Sequence, residues 1–375
     1  MFIRQIVGFA ILVAFLWVLG FIHGLFGATG MPDLLAWILA VAVELVAVAG
    51  LFAGWQWLQA RRILSKPGVR EWKDLDDRAF ALHKRGDLAA AEPLYEQALP
   101  QAEKTGQPLM VANAANNLGG LRIDQERYAE ALPLFERAYE VRKEALGAED
   151  GLTLKTAERV TNALAAMGRW EEVEKLQREL LPIYRKQSDD GPPAVETLDL
   201  IAVACRHQRK YEEAGTLFRE GEELLTRKGE LDSQAAGTLY NDWAYMLVAA
   251  GSAPAAPALY AKAIAIREHS TDRFALAVSL DNLADAQAAT GDVAGAAVTA
   301  DRWFPIIDQL IHLRSGAGDP PELVIVLDQY RRRLEMAGRQ SDAVAIGRRA
   351  EAIRTQHPAT VADMERQQAA EAAAG

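Results

Sequence analysis

Few side chains in this sequence are placed to do covalent chemistry. The six histidines stand apart at positions 23, 83, 207, 269, 312 and 357, and the one cysteine, Cys205, has no second thiol to pair with. The chain contains no GxxxxGK[ST] loop to cradle phosphate, no HExxH helix to hold zinc, no GxSxG elbow to present a nucleophile and no CxxC pair. Cys205 falls on the inward face of a helical stretch, where a small core residue is the expected role. Acid-rich stretches such as EWKDLDD and RWEEVEKLQREL mix both signs and read as solvated helix faces. Catalysis is therefore not expected, and neither is a cofactor or a metal. The formal net charge is -10. A nucleic-acid partner is not expected either, because phosphate binding needs a concentrated positive face.

One acid is out of place. Glu44 is the only charge in LLAWILAVAVELVAVAGLFAGWQWL, which runs from residue 34 to 58. A second apolar stretch, QIVGFAILVAFLWVLGFIHGLF, covers residues 5–26. Each exceeds the roughly 20 residues that a helix needs to cross a hydrocarbon core of about 30 Å. The joining GATGMPD carries Gly and Pro breakers. These features predict a transmembrane helical hairpin over residues 1–60. Arg4 precedes the first span, Arg61, Arg62 and Lys66 follow the second, and the connecting loop has no Lys or Arg. The positive-inside rule then places both ends in the cytoplasm. Gly20 and Gly24, and Gly50 and Gly54, form GxxxG pairs through which such spans associate into homo-oligomers. A mid-bilayer acid costs roughly 2–3 kcal/mol and usually faces protein or water. For Glu44 the simpler reading is a protonated residue that helps helices associate; the alternative is an ion or proton site.

Beyond a short linker at 61–71, the sequence repeats. A polar or glycine turn is followed five positions later by a small residue and, in five of the seven copies, nine later by a large one. The turns fall at Gly86, Glu126, Gly168, Arg209, Gly251, Gly291 and Gly338. Six of the seven have a small residue at the first of these positions, and the other has Val173. The last interval is longer because RSGAGDPP inserts a loop. The stretch NNLGGLRIDQERYAEALPLFERAYE is the clearest copy: Tyr128, Ala131, Leu132, Phe135 and Ala138 follow the 3, 4, 7 spacing of one helical face. Each unit reads as two helices. A unit of that size cannot bury its own apolar face, so neighbours must stack into a solenoid. The third unit, with Val173 and Gln177, and the seventh, with Gly347 at the aromatic position, are expected to pack less tightly. The alanine-rich tail at 358–375 is expected to cap the solenoid or to fray.

The pattern Leu118-Gly119, Tyr128, Ala131, Phe135, Ala138 resembles the tetratricopeptide repeat (TPR), in the longer variant found in kinesin light chains and similar bacterial proteins. The resemblance implies an all-α, right-handed solenoid of about seven helix pairs over residues 72–357, which binds a protein or peptide partner in its concave groove. By alignment the groove takes Asn113, Asn116, Asn117 and Gly120 from the second unit, Arg159 and Asn162 from the third and Arg206 from the fourth. It takes Asn241 and Tyr245 from the fifth, Asn282 and Asp285 from the sixth, and Arg332 from the seventh. Asparagines can donate to and accept from a peptide backbone, and arginines favour carboxylates. The expected protein is a scaffold tethered to a bacterial inner membrane with its repeats in the cytoplasm. The alternative is an oligomeric pore or sensor around Glu44 that the repeats gate.

Overall fold

The computed structural model describes residues 24, 49, 50, 67–315 and 318–374. Apart from residues 24, 49 and 50, the expected hairpin, with Gly20, Glu44 and Gly54, lies outside the described residues. Gly24 and Gly50 are described as exposed helical residues. Among the described residues no helix is long and apolar enough to cross a membrane, and no strand occurs.

The chain divides into two compact units, Met1–Ala148 and Glu149–Gly375. The first holds α1 (Pro67–Lys84), α2 (Leu88–Lys104), α3 (Pro108–Asp124) and α4 (Tyr128–Leu146). The second holds α5 (Gly151–Ala166), α6 (Trp170–Ser188), α7 (Pro192–His207), α8 (Tyr211–Lys228), α9 (Gln234–Ala249) and α10 (Ala256–Arg267). It continues with α11 (Arg273–Ala289), α12 (Val293–Ser315), α13 (Leu323–Met336), α14 (Gln340–Gln356) and α15 (Pro358–Ala374). Helix α1 starts inside the stretch read as linker, because Val69 and Trp72 are already buried. The tail is helix α15, which buries Val361 against Leu323, Leu327 and Ile353.

All seven sequence turns have the same backbone. Each turn residue has positive φ, from 58° at Glu126 to 87° at Gly291. The residue after it donates its N–H to the carbonyl five positions back, as in Arg127 to Arg122 at 2.8 Å and Lys210 to Cys205 at 2.8 Å. This is the Schellman motif, in which a left-handed residue reverses the chain and satisfies a carbonyl at the helix end. Five of the seven are glycine; Glu126 and Arg209 hold the same conformation with a Cβ. Glu126→Gly and Arg209→Gly are each expected to stabilise by about 0.5–1 kcal/mol, the steric relief being partly offset by greater unfolded-state freedom. Urea midpoints check this, and a fall in either midpoint would mean that the side chain makes a stabilising contact.

Two positions per unit set the helix crossing. The residue five after the turn is buried in every unit, from Ala91 through Val173 to Ala343. The residue nine after the turn faces one seven before it on the partner helix, and their sizes compensate except in the sixth unit, where Ala300 meets Ala284. Phe135 lies against Gly119, where a Cβ would come within 2.8 Å of the ring. Tyr95, Phe218 and Tyr260 stand opposite Ala79, Ala202 and Ala244 in the same register. In the third unit the pair is Gln177 and Thr161: the Gln177 amide donates to Thr161 Oγ1 at 2.7 Å, and that hydroxyl donates to the Ala157 carbonyl at 3.0 Å. In the seventh unit Gly347 faces Arg331, whose Cδ would lie 3.1 Å from a Cβ at Gly347. The looser packing expected of these two units is thus met by a buried hydrogen bond in one and by an exchange of large for small in the other.

Candidate functional site

The first helix of each pair (α1, α3, α5, α7, α9, α11 and α13) carries the residues expected to face a partner. Most of the asparagines are already engaged. Asn117 donates to Asp76 at 3.0 Å, across two first helices of the first unit. Asn113 accepts from Arg142 at 2.7 Å. Asn116 donates weakly to Asn117 at 3.3 Å, while its own Oδ1 is buried with no donor. Gly120 is partly buried. In the second unit Asn241 is buried; its Oδ1 accepts from Ser279 at 3.0 Å and from Asn282 at 3.4 Å, and its amide donates to Asp242 at 3.0 Å. Asn162 is exposed and Arg159 is partly buried.

The structure brings four of the expected residues into one place. Tyr245, Asn282 and Asp285 rim a cavity of about 280 Å³ between α9 and α11. Val248, Ala249, Ala286 and Ala289 form its apolar walls, and the buried Tyr260 of α10 closes its floor. Tyr245 remains 47% exposed, with the Arg206 guanidinium 4.5 Å from its ring centroid. That contact fixes the ring with a cation on one face. Asp285 accepts from Arg333 at 2.6 Å. Arg332 is elsewhere, beside a smaller cavity of about 160 Å³ with Asp328 and Glu365.

The expected groove residues include two members, Asn116 and Asn241, of a column that runs through every repeat. Ten positions before each turn residue stands an Asp, Asn or Glu: Asp76 and Asn116 in the first unit; Glu158, Asp199, Asn241, Asp281 and Asp328 in the second. At three of these steps the acceptor takes an amide from the next first helix: Asp76 from Asn117 at 3.0 Å, Asn241 from Asn282 at 3.4 Å, and Asp281 from Gln329 at 2.9 Å. The column therefore holds register between first helices. Its signal was in the sequence, as an Asp, Asn or Glu at a fixed interval before each turn.

A second repeated clasp lies at the turns. Glu92 of α2 takes hydrogen bonds from Gln125 and Arg127, each at 2.8 Å, and from the buried Arg122. In the second unit Glu174 of α6 takes the matching bonds from Gln208 at 2.8 Å and Lys210 at 2.9 Å, and another from Arg178 at 2.8 Å. The Arg122, Gln125 and Arg127 donors hold the Glu92 carboxyl down at about 2. Burial opposes ionisation of Glu174, but Lys210, Arg178 and Gln208 outweigh it and bring this carboxyl to about 2 as well. Both folded values lie below the usual 4.5. Their stabilisation is present above that value and is lost as pH falls towards about 2. The double variant Glu92→Gln, Glu174→Gln is expected to be less stable at neutral pH and to show a flatter fall in urea midpoint on acidification. Parallel acid profiles for the two proteins would rule the clasps out as the source.

Glu174, Cys205 and Glu213 bring their ligand atoms within 4.8 Å of one another. Cations already occupy that space: Arg178 donates to Glu174 at 2.8 Å and Glu213 at 2.5 Å, and its Nη2 lies 4.0 Å from Cys205 Sγ. The thiol is fully buried, and burial with the nearby Glu174 carboxylate pushes it up to about 11. It is protonated at neutral pH and packed among core residues. Among the histidines, His207 stacks on Trp170 with centroids 3.8 Å apart.

Paired helices, left-handed turns and size-matched crossings are what a repeat built for stacking requires. Residues 74–144 and 110–186 match the family model of the tetratricopeptide repeat. Residues 74–186 carry tetratricopeptide repeats. The fold agrees with solved structures. BtubC (BKLC) from P. vanneervenii is 19% identical, with a TM-score of 0.51 over 63% of this chain and 92% of its own. The apo form of RapI is 12% identical, with a TM-score of 0.53 over 76% of this chain and 98% of its own. Aspartyl phosphate phosphatase F from Bacillus subtilis is 13% identical, with a TM-score of 0.51 over 86% of this chain and 82% of its own. At these identities the likeness concerns the fold. No curated protein matches the chain by sequence.

Proposed function

We propose that the chain is a non-catalytic scaffold that captures a protein partner on the first-helix face of its second unit, and that the apolar segments before residue 60 tether it to a membrane. The observation that carries the capture reading is the cavity of about 280 Å³ between α9 and α11. Its size and apolar walls suit one large side chain of a partner, while Tyr245, Asn282 and Asp285 offer polar contacts at the rim. Exposed tyrosine is a favourable anchor for a protein contact, since it adds a large rigid surface and a hydroxyl at low entropic cost. The tether reading rests on the two apolar stretches and on the basic residues that flank them.

Co-sedimentation from native membranes tests both parts. The partner is expected to follow the wild-type chain into the membrane fraction and to be lost from it with Tyr245→Ala, Asn282→Ala. Deleting residues 1–60 is expected to move chain and partner together into the supernatant. If the double variant keeps the full set of captured proteins, the capture site is wrong. If the deletion leaves the chain in the membrane fraction, the tether is wrong.

A further inference from the structure

Within the register column, one step sets two acids against each other. Where Asn117, Asn282 and Gln329 supply an amide donor to the preceding first helix, the fourth step has Asp242 opposite Asp199. The two carboxyls lie within hydrogen-bonding reach of each other. Two carboxylates are both acceptors and cannot satisfy one another. Asp199 is 5% exposed, and its Oδ1 has no donor. A buried, unpaired pair of negative charges at contact is too costly to persist, so one proton must be held between them.

We propose that Asp199 and Asp242 share a single proton at neutral pH, and that losing it weakens the contact between α7 and α9, which makes this repeat interface proton-sensitive. The neighbours decide where the proton sits. Burial raises the Asp242 carboxyl too, but it is partly offset there by the Asn241 amide, which donates at 3.0 Å, and by the field of Arg206 on α7 and Arg267 on α10. Asp199 is opposed by burial first, then by Asp242 and by Glu196 of its own helix, with Arg206 acting the other way. Tyr260 of α10 also feels the Asp242 charge, as a phenol whose ionisation is already resisted by burial. The proton therefore resides on Asp199, whose O–H donates to Asp242. The arrangement supplies with an ionisable group the hydrogen bond that an amide supplies at three other steps, so here the donor itself depends on pH.

The sign follows. A carboxyl that holds its proton more tightly in the folded chain contributes stability at low pH and loses it as pH rises through the folded value. Urea unfolding of the full chain, followed from about pH 5 to about pH 8, is the test. Asp242→Asn replaces the shared proton with a permanent amide donor, like those of Asn117, Asn282 and Gln329. The wild-type unfolding constant, relative to that of Asp242→Asn, is expected to rise at least about tenfold across this range. If Asp242→Asn fails to fold, Asp199→Asn gives the same comparison from the other partner. Infrared spectroscopy at neutral pH supplies a second reading: a carboxylic-acid carbonyl band present in the wild type and absent in either Asn variant. Parallel pH profiles, or a wild type lacking that band, would overturn the proposal.

Discussion

Arg333→Ala is expected to destabilise the second unit by about 3–5 kcal/mol, the usual cost of removing one partner from a buried ion pair. Arg333 is 5% exposed on α13. Its Nη2 meets Asp281 at 2.7 Å and Asp285 at 2.6 Å, both on α11, and its guanidinium lies 5.0 Å from the Trp303 ring centroid. Two contributions are lost together: the packing of the flat cation on the indole and the charge that keeps Asp281 ionised. Burial already raises the Asp281 carboxyl, and Arg333 is the main force pulling it back. Without the arginine, Asp281 must remain charged and unpaired or take up a proton. The loss is therefore expected to be smaller at acidic than at alkaline pH, because a raised folded value gives stability that disappears as pH rises. Arg333→Met keeps much of the contact with Trp303 and separates packing from charge. Adding Asp281→Asn to Arg333→Met is expected to recover part of the loss. Urea midpoints for the set at two pH values check this, and a loss for Arg333→Ala that does not depend on pH would mean that packing alone is responsible.

Phe218→Ala is the second large effect, at about 3–5 kcal/mol. The ring is fully buried, parallel to Trp243 with centroids 6.1 Å apart, in the cluster that joins α7, α8 and α9 through Ala202, Ala214 and Leu239. Ala202 is small so that the ring can fill the space above it, and removing the ring leaves a hole that the helices cannot close without losing their register. The contrast is the same position two units later, where Ala300 stands opposite Ala284 and no ring is present. There Ala300→Phe is expected to overpack and to destabilise. Calorimetry of Phe218→Ala and Ala300→Phe tests the size rule: it requires both variants to melt lower, and unchanged melting of Ala300→Phe would show that the crossing tolerates either size.

Much of the architecture could be read from the sequence because a repeat presents the same physical problem several times. The turn residues were legible since only glycine, or a residue tolerating its conformation, fits a left-handed helix end; Glu126 and Arg209 were found by their interval, not by their type. The crossing alanines were legible from their spacing. The compensation at Gln177 and Thr161, and at Gly347 and Arg331, was not, because it depends on which residues meet across two helices rather than along one. The same limit applies to the candidate surface. Alignment pointed to Asn117 and Asn241, and the structure has both hydrogen-bonded to neighbouring helices. It pointed to Arg332, while the arginine that ties α13 to α11 is Arg333, one residue on and buried. Tyr245 and Asp285 were expected in the groove from the family resemblance, but the cavity between them was not legible, since its floor comes from Tyr260 on a second helix.

The capture surface is tested most directly by a photo-crosslinking amino acid placed at position 245, compared with one at Glu223, an exposed residue of α8. With both proteins expressed in their native membranes, the account predicts a discrete adduct to a partner chain from position 245 and none from position 223. Equal labelling from the two positions, or labelling from 223 alone, would contradict it.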